Sequence, residues 1–299
     1  MQTQDTTMNA TDINDDTIAV NQTSDFDFTV EQVPFHTPEG QPTRFLANRR
    51  TDTGAILGIC TEQYEVLQNS TLFSAVETML ANKELGGYKR KVVATGDGAR
   101  VRAIYDFPNM GIKLKNGNDL TFRMKVQNSF DRSLRASLQV GMVRLICSNG
   151  LAAPVGAVGM TRKHTSGLEP ELVETAFVRC VESFGNATAV FNEMIDFRVS
   201  QRDGNRILLG LEGSKVMSER VRKGIAEVWD GPTFKEDSDR NLFNLYNAVT
   251  QHLTHNVETK RFELAERVST GTLNAFTKAV QNRTVEWMLE AGDKVAALN

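Results

Sequence analysis

The sequence predicts an α+β fold: an antiparallel four-stranded β-meander with one basic face, packed on helices, followed by a helical C-terminal half. Three observations predict it. Residues 88–146 alternate apolar and polar side chains with period two, interrupted at Gly96-Asp97-Gly98, at Asn116-Gly117 and at a polar run over 128–133. Residues 170–199 instead repeat apolar side chains at helical spacing. Strand-like and helix-like segments are segregated along the chain, without internal repeats, which is the pattern of an α+β protein.

The elements follow in order. Around Phe45-Leu46 and Ile56-Leu57-Gly58-Ile59 two short runs read as strands. A helix is expected over 70–83, capped by Asn69 or Ser70, with Leu72, Phe73, Val76, Met79 and Leu80 as its apolar stripe and Gly86-Gly87 as its C-terminal cap. The meander begins at Tyr88–Thr95. Asp97-Gly98 is a strong hairpin signal. In the next strand Ala99, Val101, Ala103, Tyr105 and Phe107 share one face, opposite Arg100, Arg102, Ile104 and Asp106. After Asn116-Gly117, Leu120, Phe122, Met124 and Val126 alternate with Thr121, Arg123, Lys125 and Gln127. The fourth strand, from Leu134, sets Ala136, Leu138, Val140 and Met142 against Arg135, Ser137, Gln139 and Gly141. A small-residue loop over 152–159 leads to Pro170, placed where a helix starts. That helix runs to about Val199, and others are expected near 214–229, 239–257 and 272–297.

Composition bounds the class. Hydrophobic residues make up 40% of the 299 and charged residues 24%, which excludes a collagen-like, wholly disordered or disulfide-scaffold chain. No run approaches the ~18 apolar residues of a membrane span. The N-terminus lacks the basic start and apolar core of a signal peptide. Cys60, Cys147 and Cys180 are too scattered for a disulfide framework or a zinc ribbon, and they fit a reducing cytoplasm.

Charge is distributed unevenly. Residues 1–43 carry eight acids and no Lys or Arg, so the rest of the chain carries +5 against the overall −3. The arm, taken as residues 1–40, is polar and acidic and is expected to be disordered. It is followed by an α+β core over 41–200 and a helical region over 201–299. Residues 89–163 hold fourteen basic residues against four acids. Lysines and arginines facing one another across strands repel by a few tenths to ~1 kcal/mol per pair. A face built that way needs acidic neighbours or a polyanion, and a phosphate backbone is the natural counterion. The expected backbone-binding residues are Lys89, Lys91, Arg100, Arg102, Arg123, Lys125 and Arg135, extended by Arg144, Arg162 and Lys163. Gln127, Asn128, Ser137 and Gln139 can add hydrogen bonds, and Tyr88 and Phe130 can stack on bases. The alternative is a solvated face whose long side chains cover apolar neighbours.

Other constellations carry less. Cys147 and His164, with Asp131 or Asn149 orienting the ring, have the groups of a thiol–imidazole pair, but a cysteine ending an apolar strand is usually buried and inert. His252 and His255 share a helix side without an acid cluster beside them, so packing is the simpler role. Gly96-Asp97-Gly98 lacks the trailing Lys-Ser/Thr of a phosphate loop. No catalytic residue, metal or cofactor is expected.

Several segments together resemble a known family. They are Tyr64-Glu65-Val66-Leu67-Gln68-Asn69, Gly98-Ala99-Arg100-Val101, Asn128-Ser129-Phe130-Asp131-Arg132-Ser133, Val143-Arg144-Leu145-Ile146-Cys147-Ser148-Asn149-Gly150-Leu151 and His164-Thr165, joined later by Leu245-Tyr246-Asn247-Ala248 and Thr254-His255. In that order they resemble the phage- and plasmid-borne domain-of-unknown-function family 932 over roughly residues 40–255. Here Phe130 and Arg132 stand where that family usually has His and Gly. The element order and basic face also look like the core of phage single-strand annealing proteins. Those two resemblances imply a phage or mobile-element protein of the bacterial cytoplasm that binds and anneals single-stranded DNA in recombination or replication, as a homo-oligomer and without chemistry. Two alternatives remain open: an enzyme using Asn128, Asp131, Asn149 and His164, and a host-interaction protein whose acidic arm meets a host partner.

Overall fold

The computed structural model describes residues 18–20, 28–83, 87–144, 150–152, 158–162, 170–255 and 262–298. Its central sheet contains the expected meander: β5 (Lys89–Thr95), β6 (Arg100–Lys113), β7 (Asp119–Ser129) and β8 (Ala136–Arg144), each antiparallel to the next. Three short strands enlarge it. β1 (Ile18–Val20) adds to the outer edge of β5, while β9 (Gly150–Ala152) and β10 (Val158–Arg162) both pair with β8. The turns follow their chemistry. Asp97 and Gly98 both take positive φ, 55° and 93°, and the Ala99 amide donates to the Gly96 carbonyl, as a hairpin turn of the primed type requires. At the next turn Gly117 supplies φ 85°.

The alternating pattern places Val101, Ala103, Tyr105 and Phe107 with Leu120, Phe122, Met124 and Val126 on one face, all fully buried. The α1 helix (Asn69–Asn82) and the long α2 helix (Pro170–Asp196) cover it. Phe122 meets Phe177 and Phe184 of α2 edge-on at 6.1 and 5.4 Å. Each aromatic pair of this kind contributes ~0.5–1.5 kcal/mol beyond its burial. α1 starts differently from expectation: Gln68 is the boundary residue and makes no cap, because its side-chain amide pairs with both backbone groups of Val30. The helix also ends before the expected glycines, at Asn82 with Lys83 beyond it, and Gly86 lies outside the described residues.

The C-terminal half is helical, with two divisions that the apolar stripe did not reveal. α3 (Gln201–Gly213) precedes α4 (Glu219–Asp230), and the last stretch is split into α6 (Phe262–Asn282) and α7 (Glu286–Ala296). Between them α5 (Leu242–His255) is the most enclosed helix. Gly210 of α3 and Gly292 of α7 let the two backbones touch: a Cβ on either would collide with a carbonyl oxygen of the other helix. Buried side chains form one continuous cluster from α1 through the sheet to Met288 of α7, so the helical half shares the core of the sheet.

A second sheet corrects the extent of the acidic arm. β2 (Val30–His36), β3 (Pro42–Arg50) and β4 (Ile56–Thr61) form a three-stranded antiparallel sheet. Residues 30–36 therefore belong to the folded protein, as do 18–20, although both fall inside the expected arm. Phe28 and Val30 explain it: they enter a small apolar cluster with Leu57, Ala99 and Phe130, enough to order a strand among acids. The expectation of disorder for 1–17 and 21–27 lies outside the described residues. The small sheet rests on the 128–133 turn of the large one. A Cβ on Gly58 would stand 2.6 Å from the Asp131 Cα and 2.7 Å from the Phe130 carbonyl oxygen, so only glycine fits.

Opposite substitutions test this contact. Gly58→Ala is expected to destabilise by about 1–3 kcal/mol through overpacking. Arg132 sits in the left-handed region at φ 65°, so Arg132→Gly is expected to stabilise by about 0.5–1 kcal/mol. Urea unfolding midpoints read both, and equal signs would refute the assignment.

Candidate nucleic-acid interface

Register assembles the polar face row by row. Arg100 pairs with Thr95 and Ser129; Arg102 with Val93 and Gln127; Lys125 with Ile104 and Gln139; Arg123 with Asp106 and Gly141. Lys89 lies across from Asp106 and Lys91 across from Ile104. Six cations thus share one surface, as the alternation predicts. Their surroundings differ from the expected open columns.

Carboxylates meet half of them. Arg123 makes a two-pronged bond with Asp106 at 2.5 and 2.8 Å. Arg100 donates to Asp131 at 2.7 Å. Lys125 lies 3.8 Å from Glu266 of α6, and burial pushes its pKa down despite that carboxylate. Arg102 is 8% exposed and donates to the Gln127 side chain at 3.3 Å. Lys89, Lys91 and Arg135 are exposed. Asp106, Asp131 and Glu266 thus meet Arg123, Arg100 and Lys125, while Lys89 and Lys91 stay exposed at the edge of the face.

Arg144 is a correction. It is wholly buried, with Nη1 2.7 and 2.8 Å from the two Asp237 oxygens and Nε 2.7 Å from Asn118 Oδ1. Its position has the same parity as Leu138 and Met142, so the pleat turns it to the apolar face and away from any strand lying on the other. Asn247 also donates to Asp237, at 3.0 Å. Phe130, a stacking candidate, is likewise fully buried, against Phe28. Tyr88 is 39% exposed and lies edge-on to Tyr105. Arg162 ends β10, and Lys163 lies outside the described residues.

The loop residues that suggested chemistry hold the two sheets together. Asn128 Nδ2 donates to the Leu67 carbonyl at 2.7 Å and to Asn69 Oδ1 at 2.9 Å, fixing the start of α1. Ser129 Oγ donates to the Leu134 carbonyl, and Asp131 accepts from the Ser133 amide and hydroxyl. Burial raises the Asp131 carboxyl, but hydrogen bonds from Ser133 and Arg100 outweigh it and hold the pKa below the ordinary carboxylate value. Two more residues complete the joint: Asn48, which no pattern flagged, donates to the Phe130 carbonyl at 2.6 Å, and Tyr64, known only as the first residue of the family-like segment over 64–69, donates to the Ser129 carbonyl at 2.7 Å. An isolated Asn or Tyr carries no periodic signal that would single it out. Cys147, Asn149 and His164 lie outside the described residues. Burial lowers the pKa of His252, whose ring packs against Gly224, and among the described residues no cluster of three His, Cys, Asp or Glu side chains could hold a metal ion. No described helix is long and apolar enough to cross a membrane.

Two outcomes follow. Asp237→Asn leaves the Arg144 charge buried and is expected to cost about 3–5 kcal/mol, whereas Arg144→Met/Asp237→Leu together recover much of it; chemical unfolding of the three proteins checks this. The lowered pKa of Asp131 makes its contribution complete above the unfolded value of about 3.9, and the contribution is lost as pH falls through the folded value. Asp131→Asn is therefore expected to lower stability at neutral pH and to flatten its decline in acid, in thermal melts run from pH 7 to pH 2.

The comparisons with curated proteins and with solved structures gave no match. A family model described as Domain of unknown function (DUF932) matches residues 56–285, well over half of the chain, from β4 through the whole meander to the end of α6. The chain belongs to the DUF932 family.

Proposed function

We propose that the protein binds single-stranded DNA on the open part of this polar face and promotes annealing. The observation that carries the proposal is the exposed positive charge at one edge and one end of the face. Lys89 and Lys91 stand exposed on β5, Arg132 and Arg135 stand exposed at the 130–135 turn, and the Arg100 side chain, 40% exposed beside Asp131, lies between them on β6. Cations placed at intervals along a pleated surface neutralise successive phosphates irrespective of base sequence, and counterion release supplies the affinity. Gln127 and Gln139, half-buried on the same face, offer neutral hydrogen bonds to sugar and phosphate oxygens. A backbone held this way leaves bases turned outward, where a complementary strand can reach them.

The interface is narrower than the sequence implies. Arg123 and Lys125 meet carboxylates, and Arg144 takes no part. In this reading the helical half covers the sheet and offers surfaces for self-assembly, and the setting is recombination or replication in a phage or mobile element.

Fluorescence anisotropy of a labelled oligothymidylate over a range of salt concentrations tests the proposal. Tight binding at low salt that weakens steeply with salt is expected. Lys89→Ala/Lys91→Ala/Arg135→Ala should weaken binding and flatten the logarithmic salt slope by about 2, at ~0.7 per phosphate contact on a single strand. No binding at low salt, or affinity indifferent to salt, overturns it.

A further inference from the structure

We infer that the outer edge of β4 is a self-association surface: two copies of the chain pair their β4 strands antiparallel about a two-fold axis at Ile59, and the two small sheets join into one. The inference stands apart from the nucleic-acid reading. It rests on which backbone groups of the small sheet are already engaged.

In an antiparallel ladder the amide and carbonyl of one residue point to the same side, and successive residues alternate. Val30 gives both groups to the Gln68 side chain, at 3.0 and 2.7 Å. Alternation then directs Glu31 and Val33 toward β3, where they lie opposite Arg49 and Ala47. Leu46 and Asn48 therefore turn to β4, where they lie opposite Cys60 and Gly58. Ile59, between those two, points its amide and its carbonyl away from the sheet. No described strand lies beyond β4, and neither group has a hydrogen-bond partner among the described residues.

The two edges of the sheet differ. On β2, Gln68 occupies Val30, the Gln32 side chain donates to the Tyr64 carbonyl, and Pro34 has no N–H, so that edge is closed to another strand. β4 contains no charged residue and no proline, and its Ile56 and Ile59 are 53% and 41% exposed. A register shift near Ile56 confines a regular ladder to the residues around Ile59.

A second copy fits this edge. The two-fold axis sets Ile59 opposite itself, so each amide meets the other copy's carbonyl. The row Val33–Ala47–Ile59 continues across the axis into its own repeat, and the exposed isoleucines cover one another. The charged side chains of the adjacent row, Glu31 and Arg49, neutralise each other at 2.7 Å, so the surface brings no unmatched like charge against its copy. Because the β2 edge is closed, the pairing ends at two copies and builds no filament.

Sedimentation equilibrium of the full chain over micromolar concentrations tests the inference, with circular dichroism showing that each variant is folded. The native chain is expected to be a dimer. Ile59→Lys sets like charges across the axis and should raise the dimer dissociation constant at least about tenfold. Ile59→Cys gives a second readout. Facing residues of a hydrogen-bonded antiparallel pair lie ~5.5 Å apart between Cα atoms, so oxidation should join two chains through position 59, identified by peptide mass spectrometry. A monomeric native chain overturns the inference, as does a dimer that Ile59→Lys leaves intact or whose chains the introduced thiols fail to join. If Ile59→Lys does not fold, the thiol result decides alone, and neither readout depends on oligonucleotide binding.

Discussion

A side chain on a β-strand has two faces to choose from, and neighbours in sequence must choose opposite ones. Most of this structure depends on that constraint. Once Phe122, Met124 and Val126 are committed to the helices, Arg123, Lys125 and Gln127 have to emerge together on the far side. The same rule acts on β6 and β8, and register brings the three strands into rows. The polar face is thus a consequence of burying the apolar one, and its charge requires a separate account.

That account is electrostatic. A row of like charges in a folded sheet is tolerated only where something offsets it. Here the offset is partial and comes from three sources: Asp106 within the sheet, Asp131 in a turn and Glu266 on a helix distant in sequence. What is left over lies at one edge and one end, at Lys89, Lys91, Arg132 and Arg135. The exposed cations are therefore what incomplete neutralisation leaves over, while the centre of the face is engaged within the protein.

The 128–133 turn shows how much structure a short polar segment can organise. It terminates β7, fixes the start of α1 through Asn128, carries the small sheet through the Asn48 and Tyr64 bonds, and positions Arg100 through Asp131. Such a density of polar residues resembles a catalytic loop in the sequence. In the fold those groups satisfy buried backbone carbonyls, which would each cost about 1–3 kcal/mol if left unpaired. Strand alternation also accounts for Arg144: its parity was legible in the sequence beside Met142, while the identity of its partner, Asp237, was not.

Periodicity alone determined the meander, its two hairpin turns, the apolar and polar faces, and the helical C-terminal half, because these follow from interactions between residues close in the chain. Tertiary structure alone decided which cations stay available, since Glu266 and Asp237 reach Lys125 and Arg144 across more than ninety residues and no local pattern encodes the approach. It also decided that residues 28–36 are folded: the acidic, polar segment they belong to favours solvent, and the apolar contacts of Phe28 and Val30 with Leu57, Ala99 and Phe130, supplied by distant segments, outweigh that preference.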